Sequence, residues 1–178
     1  NNPGAILFEM MMDELFEGHP YEIPIIGYMD EVTQLTLQDA NDFYGYWYGP
    51  QNAILVVAGD ITAAELRPLA EDIYGSIEPT ADLEERVWPE VQPLAESMTL
   101  THSDPKVRQE EWDQYWQSTS YSVNTETLEP HALDLAAQIL GGGRTSRLYQ
   151  ELVEEQGVAV SAYAFSWTDL RATGLFGM

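Results

Sequence analysis

Gly141-Gly142-Gly143-Arg144-Thr145-Ser146-Arg147-Leu148-Tyr149-Gln150-Glu151-Leu152 is the stretch on which the reading of this chain turns. Upstream of it, Ala132, Leu133, Leu135, Ala136, Ile139 and Leu140 recur at helical spacing, which predicts an amphipathic helix running into the glycines. Downstream, a second helix is predicted from about Ser146 to Glu155, closed by Gly157. Three glycines between two helices admit two readings. They form a flexible helix-to-helix turn, or they make a loop that a peptide backbone can approach closely because no Cβ stands in the way. A phosphate cradle is disfavoured by the order of elements. Such a loop follows a strand, opens a helix and places a Lys before Ser or Thr, whereas here a helix comes first and Arg144-Thr145 follows.

Outward from this centre, strands are predicted at 158–167 and from Gly174 to the end, and before the helix at 94–102 and about 106–117. In the last of these, Trp112, Gln114 and Trp116 share a face. Residues 78–96 have a different texture: Pro79, Pro89 and Pro93 punctuate an acidic stretch of little periodicity, which reads as a linker. Further back, Ala5 to Phe16 has the apolar density of a helix, with Gly18 suited to its end and His19-Pro20-Tyr21 opening a loop. Thr36 caps a helix that carries Ala40, Phe43, Tyr44 and Trp47 and stops at Gly49-Pro50. Ala53 to Ala58 is an apolar run consistent with a buried strand. Thr62-Ala63-Ala64-Glu65 is a capping box for a helix lasting to about Tyr74. Both halves therefore mix helices and strands, an α+β pattern without a short-period repeat.

Charge bounds the partners. The 178 residues hold 30 acidic and 7 basic side chains, a net charge of -23. A chain this acidic is repelled by nucleic acid and by anionic membrane surfaces, so neither is an expected partner. The acidity serves solubility, or it draws cationic peptides. There is no cysteine, which excludes disulfides and thiol catalysis. No apolar run reaches membrane-spanning length, so membrane insertion is not expected. The opening Asn1-Asn2-Pro3-Gly4 is turn material without an initiator methionine, and the expectation is a chain cut from something longer.

Familiar catalytic spacings are missing. His19, His102 and His131 stand alone in the sequence, with no two histidines one helical turn apart to begin a zinc site. His19 reads as a loop histidine bonded to nearby backbone. Met10, Met11 and Met12 point in three directions on a helix and read as packing rather than as a soft metal site. There is no Gly-x-Ser-x-Gly, and acid pairs such as Glu84-Glu85 and Glu110-Glu111 diverge and read as solvated.

The glycine stretch, with Gln156-Gly157-Val158-Ala159 after it, resembles the second-domain signature of pitrilysin/insulinase-type zinc metallopeptidases, a family that includes the mitochondrial processing peptidases. Asn1-Asn2-Pro3, His19-Pro20-Tyr21 with Pro24 and Gly27, Leu35-Thr36-Leu37, Phe43-Tyr44, Tyr48-Gly49-Pro50-Gln51-Asn52-Ala53 and Val56-Val57-Ala58-Gly59-Asp60 resemble the family in its own order, across essentially the whole chain. The resemblance implies antiparallel-leaning mixed sheets with packed helices. It makes residues 1–78 the close of a first α+β domain, 79–93 the interdomain linker and 94–178 the opening of a second. It implies a zinc-dependent endopeptidase or processing peptidase acting on a peptide or protein substrate. The zinc ligands and the catalytic glutamate are expected upstream of Asn1, so no catalytic or metal residue is assigned in this chain. The family's substrate-gripping arginine aligns near Leu175 to Gly177, where no arginine stands, and the role is not transferred to Arg171. Gly141, Gly142, Gly143 and Arg144 are the candidates for peptide contact. The chain alone is expected to be inactive, to need the rest of the parent chain or a partner subunit, and to self-associate. The alternative is a non-catalytic subunit of the same family.

Overall fold

A computed structural model describes residues 2–178; Asn1, the first residue of the expected opening turn, lies outside the described residues. The chain divides into two units. One joins the segment ending at Pro24 to Trp88–Met178, and the other is Ile25–Val87.

The first unit opens with helix α1, Pro3–Leu15. Its start is capped by the Asn2 side-chain oxygen, which accepts from the Gly4 amide at 3.0 Å, and Pro3 occupies a position where no amide is needed. After it, Gly18 takes a left-handed conformation at φ 73° and turns the chain away. Of the three consecutive methionines only Met11 is buried; one turn on, so is Leu15. Met11, Leu15 and Phe16 meet Leu175, with Tyr115, Phe165 and Trp167 packed around them. This is the core of the unit.

Leu175 belongs to a three-stranded antiparallel sheet of β1 (Tyr115–Ser118), β2 (Phe165–Trp167) and β3 (Gly174–Gly177), in the order β1-β3-β2. The central strand pairs Gly177 with both Tyr115 and Phe165, and Leu175 with both Gln117 and Trp167. Side chains alternate across the sheet, so Tyr115, Gln117, Leu175, Phe165 and Trp167 share the face that α1 covers. Gln117 Nε2 ties the two layers by donating to the Leu15 carbonyl at 2.6 Å. Glycine is required at position 177, because a Cβ there would stand 2.5 Å from the Phe165 ring.

Helix α5 (Glu129–Gly141) lies beside β2 and is followed by a helix from Tyr149 to Glu155. The sequence predicts ordinary helical turns here. Instead the segment is wound as a π-helix, with the Gln156 amide bonded to the Glu151 carbonyl at 2.9 Å.

The strands are shorter than the sequence predicts. Residues 94–102 form no strand, β1 begins only at Tyr115 and β2 only at Phe165. The reason is pairing. β3 offers a ladder for only a few residues, and a strand exists only where a neighbour supplies its hydrogen bonds.

The second unit holds α2 (Met29–Val32), α3 (Leu37–Trp47) and α4 (Ala63–Tyr74). Both longer helices start with reciprocal capping boxes, Thr36 with Asp39 and Thr62 with Glu65. The predicted strand at Ala53 to Ala58 does not form. Its residues are unpaired and exposed, Ile54 at 92% and Val56 at 82%. Among the described residues no side chain of this unit is fully buried, so the apolar run has no layer to lie against.

Candidate functional site

The four predicted contact residues are contiguous, but the structure gives each a different task. Gly141 is the buried last residue of α5. A Cβ there would fall on the backbone at Tyr163 and Ala164, so this glycine lets the helix end lie directly against the strand segment. Gly142 caps the helix, its amide bonded to the Gln138 carbonyl at 3.0 Å. Gly143 takes φ 135° and faces open space, where a Cβ would meet nothing within 4 Å. Arg144 turns its guanidinium back, 3.5 Å from the Glu154 carboxylate and 5.7 Å over the Tyr149 ring. That ion pair is largely solvated and contributes little to stability. Of the four, Gly141 alone is buried, and Gly142, Gly143 and Arg144 are exposed. Just beyond them Ser146 is buried, and its hydroxyl has no hydrogen-bond partner among the described residues.

The histidines have structural surroundings. His19 is buried among Phe16, Tyr21 and Trp88, and its Nδ1 accepts the Tyr21 amide at 3.2 Å, so it is bonded to local backbone as expected. Burial lowers its pKa, and the nearby Glu22 carboxylate opposes this more weakly. His131 Nδ1 lies 3.0 Å from the Tyr121 hydroxyl, which also donates to Asp134 at 2.5 Å, while Thr168 donates to the other Asp134 oxygen at 2.7 Å. Burial pushes the Asp134 carboxyl up. The hydrogen bonds from Tyr121 and Thr168 and the neighbouring His131 outweigh that and hold it below the usual carboxylate range. The bond to Asp134 in turn raises the Tyr121 hydroxyl.

Zinc has no ligand set here: among the described residues no three His, Cys, Asp or Glu side chains are grouped to hold a metal. Nor is any helix among them long and apolar enough to cross a membrane.

A groove of about 670 Å³ was not legible in the sequence. Residues 109–113 form one wall and 158–163 the other, with Leu148 and Leu152 of the post-glycine segment and Met178 also lining it. Tyr163 donates to Asp113 across it at 3.2 Å. Burial and the adjacent Asp113 raise the Tyr163 hydroxyl. Tyr115 beside it is pushed up to about 12 by burial, then by Asp113, Tyr163 and Glu111. Only the ladder register could have revealed this groove, since it assembles segments about 50 residues apart.

With this geometry in hand, the comparisons with known proteins are specific. The model of the peptidase M16 inactive domain matches residues 34–178. The zinc protease PqqE of Helicobacter pylori is 28% identical over 170 residues, and the match covers 92% of this chain and 36% of that protein. The crystal structure of a protease from Helicobacter pylori superposes with a TM-score of 0.68 at 22% identity, over 99% of this chain and 42% of that one. A peptidase M16 inactive domain from Pseudomonas fluorescens gives 0.67 at 20% identity, over 99% and 41%. At these identities the two structures establish the fold, the expected α+β arrangement. The chain spans little more than a third of the length of the curated relative.

Proposed function

The chain belongs to the peptidase M16 family, through the model of that family's inactive domain, and from this premise we propose that it is a segment of a zinc-dependent endopeptidase or processing peptidase that supplies scaffold and peptide-facing surface. The observation that carries the reading is the family match over residues 34–178, together with relatives that are zinc proteases. On this reading the metal is held by residues elsewhere in the parent protein. The segment alone is inactive. Residues 1–78 close one domain, 79–93 link, and 94–178 open the next.

Gly143 and Arg144 are the best-placed peptide contacts, because both are exposed and the Arg144 side chain is held only by its solvated pair with Glu154 and its contact with the Tyr149 ring. In the full-length protein, Arg144→Ala should raise KM for a peptide substrate several-fold while kcat and zinc content stay unchanged. An unchanged KM would reduce the loop to a connection.

A second reading, a non-catalytic subunit of the same family, is favoured by the matching model being that of an inactive domain. It predicts a full-length protein without zinc.

A further inference from the structure

We infer that His19 and Tyr21 form an acid-sensitive latch on the turn between β2 and β3. At neutral pH the His19 ring holds Tyr21 and the Tyr21 hydroxyl holds the turn. A proton added to His19 releases the turn while the sheet stays paired.

The turn depends on a hold from outside itself. Among the described residues, 169–173 make no backbone-to-backbone hydrogen bond. Instead the amides of Arg171 and Ala172 donate to the Tyr21 hydroxyl, at 2.9 and 3.3 Å. Either end of the turn is fixed independently of Tyr21. The Thr168 carbonyl accepts the Tyr121 amide at 2.7 Å, and Gly174 pairs with Ser118 in the ladder. Loss of the Tyr21 bonds therefore loosens the residues between these points and leaves the strands joined.

Tyr21 is held in turn by His19. The His19 ring is 1% exposed. It meets the Tyr21 ring edge-on with centroids 4.4 Å apart, and it stacks on Trp88 at 6.0 Å. Its Nδ1 accepts the Tyr21 amide at 3.2 Å, which places the proton of the neutral ring on Nε2. That nitrogen is buried and has no hydrogen-bond partner among the described residues. A second proton must go to Nδ1, where it faces the Tyr21 N–H, and two donors cannot bond each other. The bond is lost, and a charge appears among aromatic rings, away from water. The ring then leaves its place, and Tyr21 loses both its amide bond and its edge-on neighbour.

The charges around the ring set the direction. Glu22, in the turn after Pro20, is the carboxylate that favours the imidazolium, and its Oε2 also accepts the Gly18 amide at 2.7 Å. From the β2–β3 turn, Arg171 brings its guanidinium over the Trp88 ring, 5.9 Å from the centroid. Phe16, at the end of α1, and Trp88 present uncharged rings. Burial outweighs Glu22, so the closed latch resists the proton and the open one takes it.

Amide hydrogen exchange on the full-length protein, corrected for the intrinsic effect of pH on exchange, tests the latch. A released His19 titrates near about pH 6.5. Protection of the Arg171 and Ala172 amides should therefore fall several-fold, up to about tenfold, between about pH 7.5 and pH 5.5. The Gln114 and Met178 amides, which bond across the ladder, should keep theirs. Asparagine offers the Tyr21 amide an oxygen and takes no charge, so His19→Asn should abolish the fall. Tyr21→Phe removes the hydroxyl, so both turn amides should lose protection at either pH. A fall that persists in His19→Asn would overturn the latch, as would undiminished protection in acid or equal loss from the ladder amides. Protection that survives Tyr21→Phe would overturn it even if His19→Asn does not fold.

Discussion

The Tyr21 hydroxyl accepts the backbone amides of Arg171 at 2.9 Å and Ala172 at 3.3 Å, fastening the turn between β2 and β3 to the loop after α1. The ring itself packs against Phe16 and His19. Tyr21→Phe keeps that packing and removes only the acceptor, so it should cost about 0.5–1.5 kcal/mol. Chemical denaturation measures it, and an unmoved midpoint would show that water replaces the bond without loss.

His19 gives the stability a pH dependence. Its Nδ1 accepts the Tyr21 amide, so a second proton must either break that bond or charge a buried ring. The folded pKa lies below the ordinary value. The unfolded chain therefore takes up the proton first, and stability present above about pH 6.5 is lost as pH falls through the folded value. Unfolding measured at about pH 7.5 and pH 5.5 should show this loss, and His19→Gln should reduce it. A variant with the same pH slope would assign the effect elsewhere.

Asp134 acts in a lower range. With its carboxyl held down by Tyr121 and Thr168, it stabilises the fold above about pH 4 and ceases to do so as pH falls below. Asp134→Asn should cost about 1–2 kcal/mol at neutral pH, discounted for its partial exposure. Thermal unfolding at neutral pH should show a lower Tm, with the difference from the unmodified chain shrinking in acid. A constant difference would remove charge from the explanation.

The three glycines should separate by mutation. Gly141→Ala places a methyl on the backbone of Ala164 and should destabilise by about 1–3 kcal/mol or more. Gly143→Ala meets no atom and pays only backbone strain, also about 1–3 kcal/mol, without displacing the strand segment. Hydrogen exchange near Tyr163 should thus rise in the first variant alone. A rise in both would mean that the glycine stretch moves as one piece.

Exposed apolar surface carries a prediction of its own. Ile54, Val56, Trp112 and Val160 are each more than 70% exposed, so the 178-residue chain should self-associate. Light scattering checks this, and a monodisperse monomer would contradict it.

What the sequence revealed depended on range. The caps at Thr36 and Thr62 and the glycine ends of helices are local chemistry, legible within four residues, whereas Asn2 read only as turn material and turned out to cap α1. Strand lengths were not, because Ala53 to Ala58 and residues 109–113 have strand composition but no neighbour to pair with. In the candidate site the loop was visible as a glycine run, but its division of labour was not. The packing of Gly141 depends on Tyr163 and Ala164, more than 20 residues away in sequence. The Tyr121–His131–Asp134 cluster was likewise invisible, since Thr168 completes it from beyond the glycine loop.

The most direct test of the central claim is the metal and the cleavage together. The full-length protein, purified without chelator, should hold one zinc per chain and hydrolyse a quenched fluorescent peptide. The 178-residue segment should do neither. Zinc bound stoichiometrically by the segment itself, or a full-length protein that binds zinc and cleaves no peptide, would contradict the account.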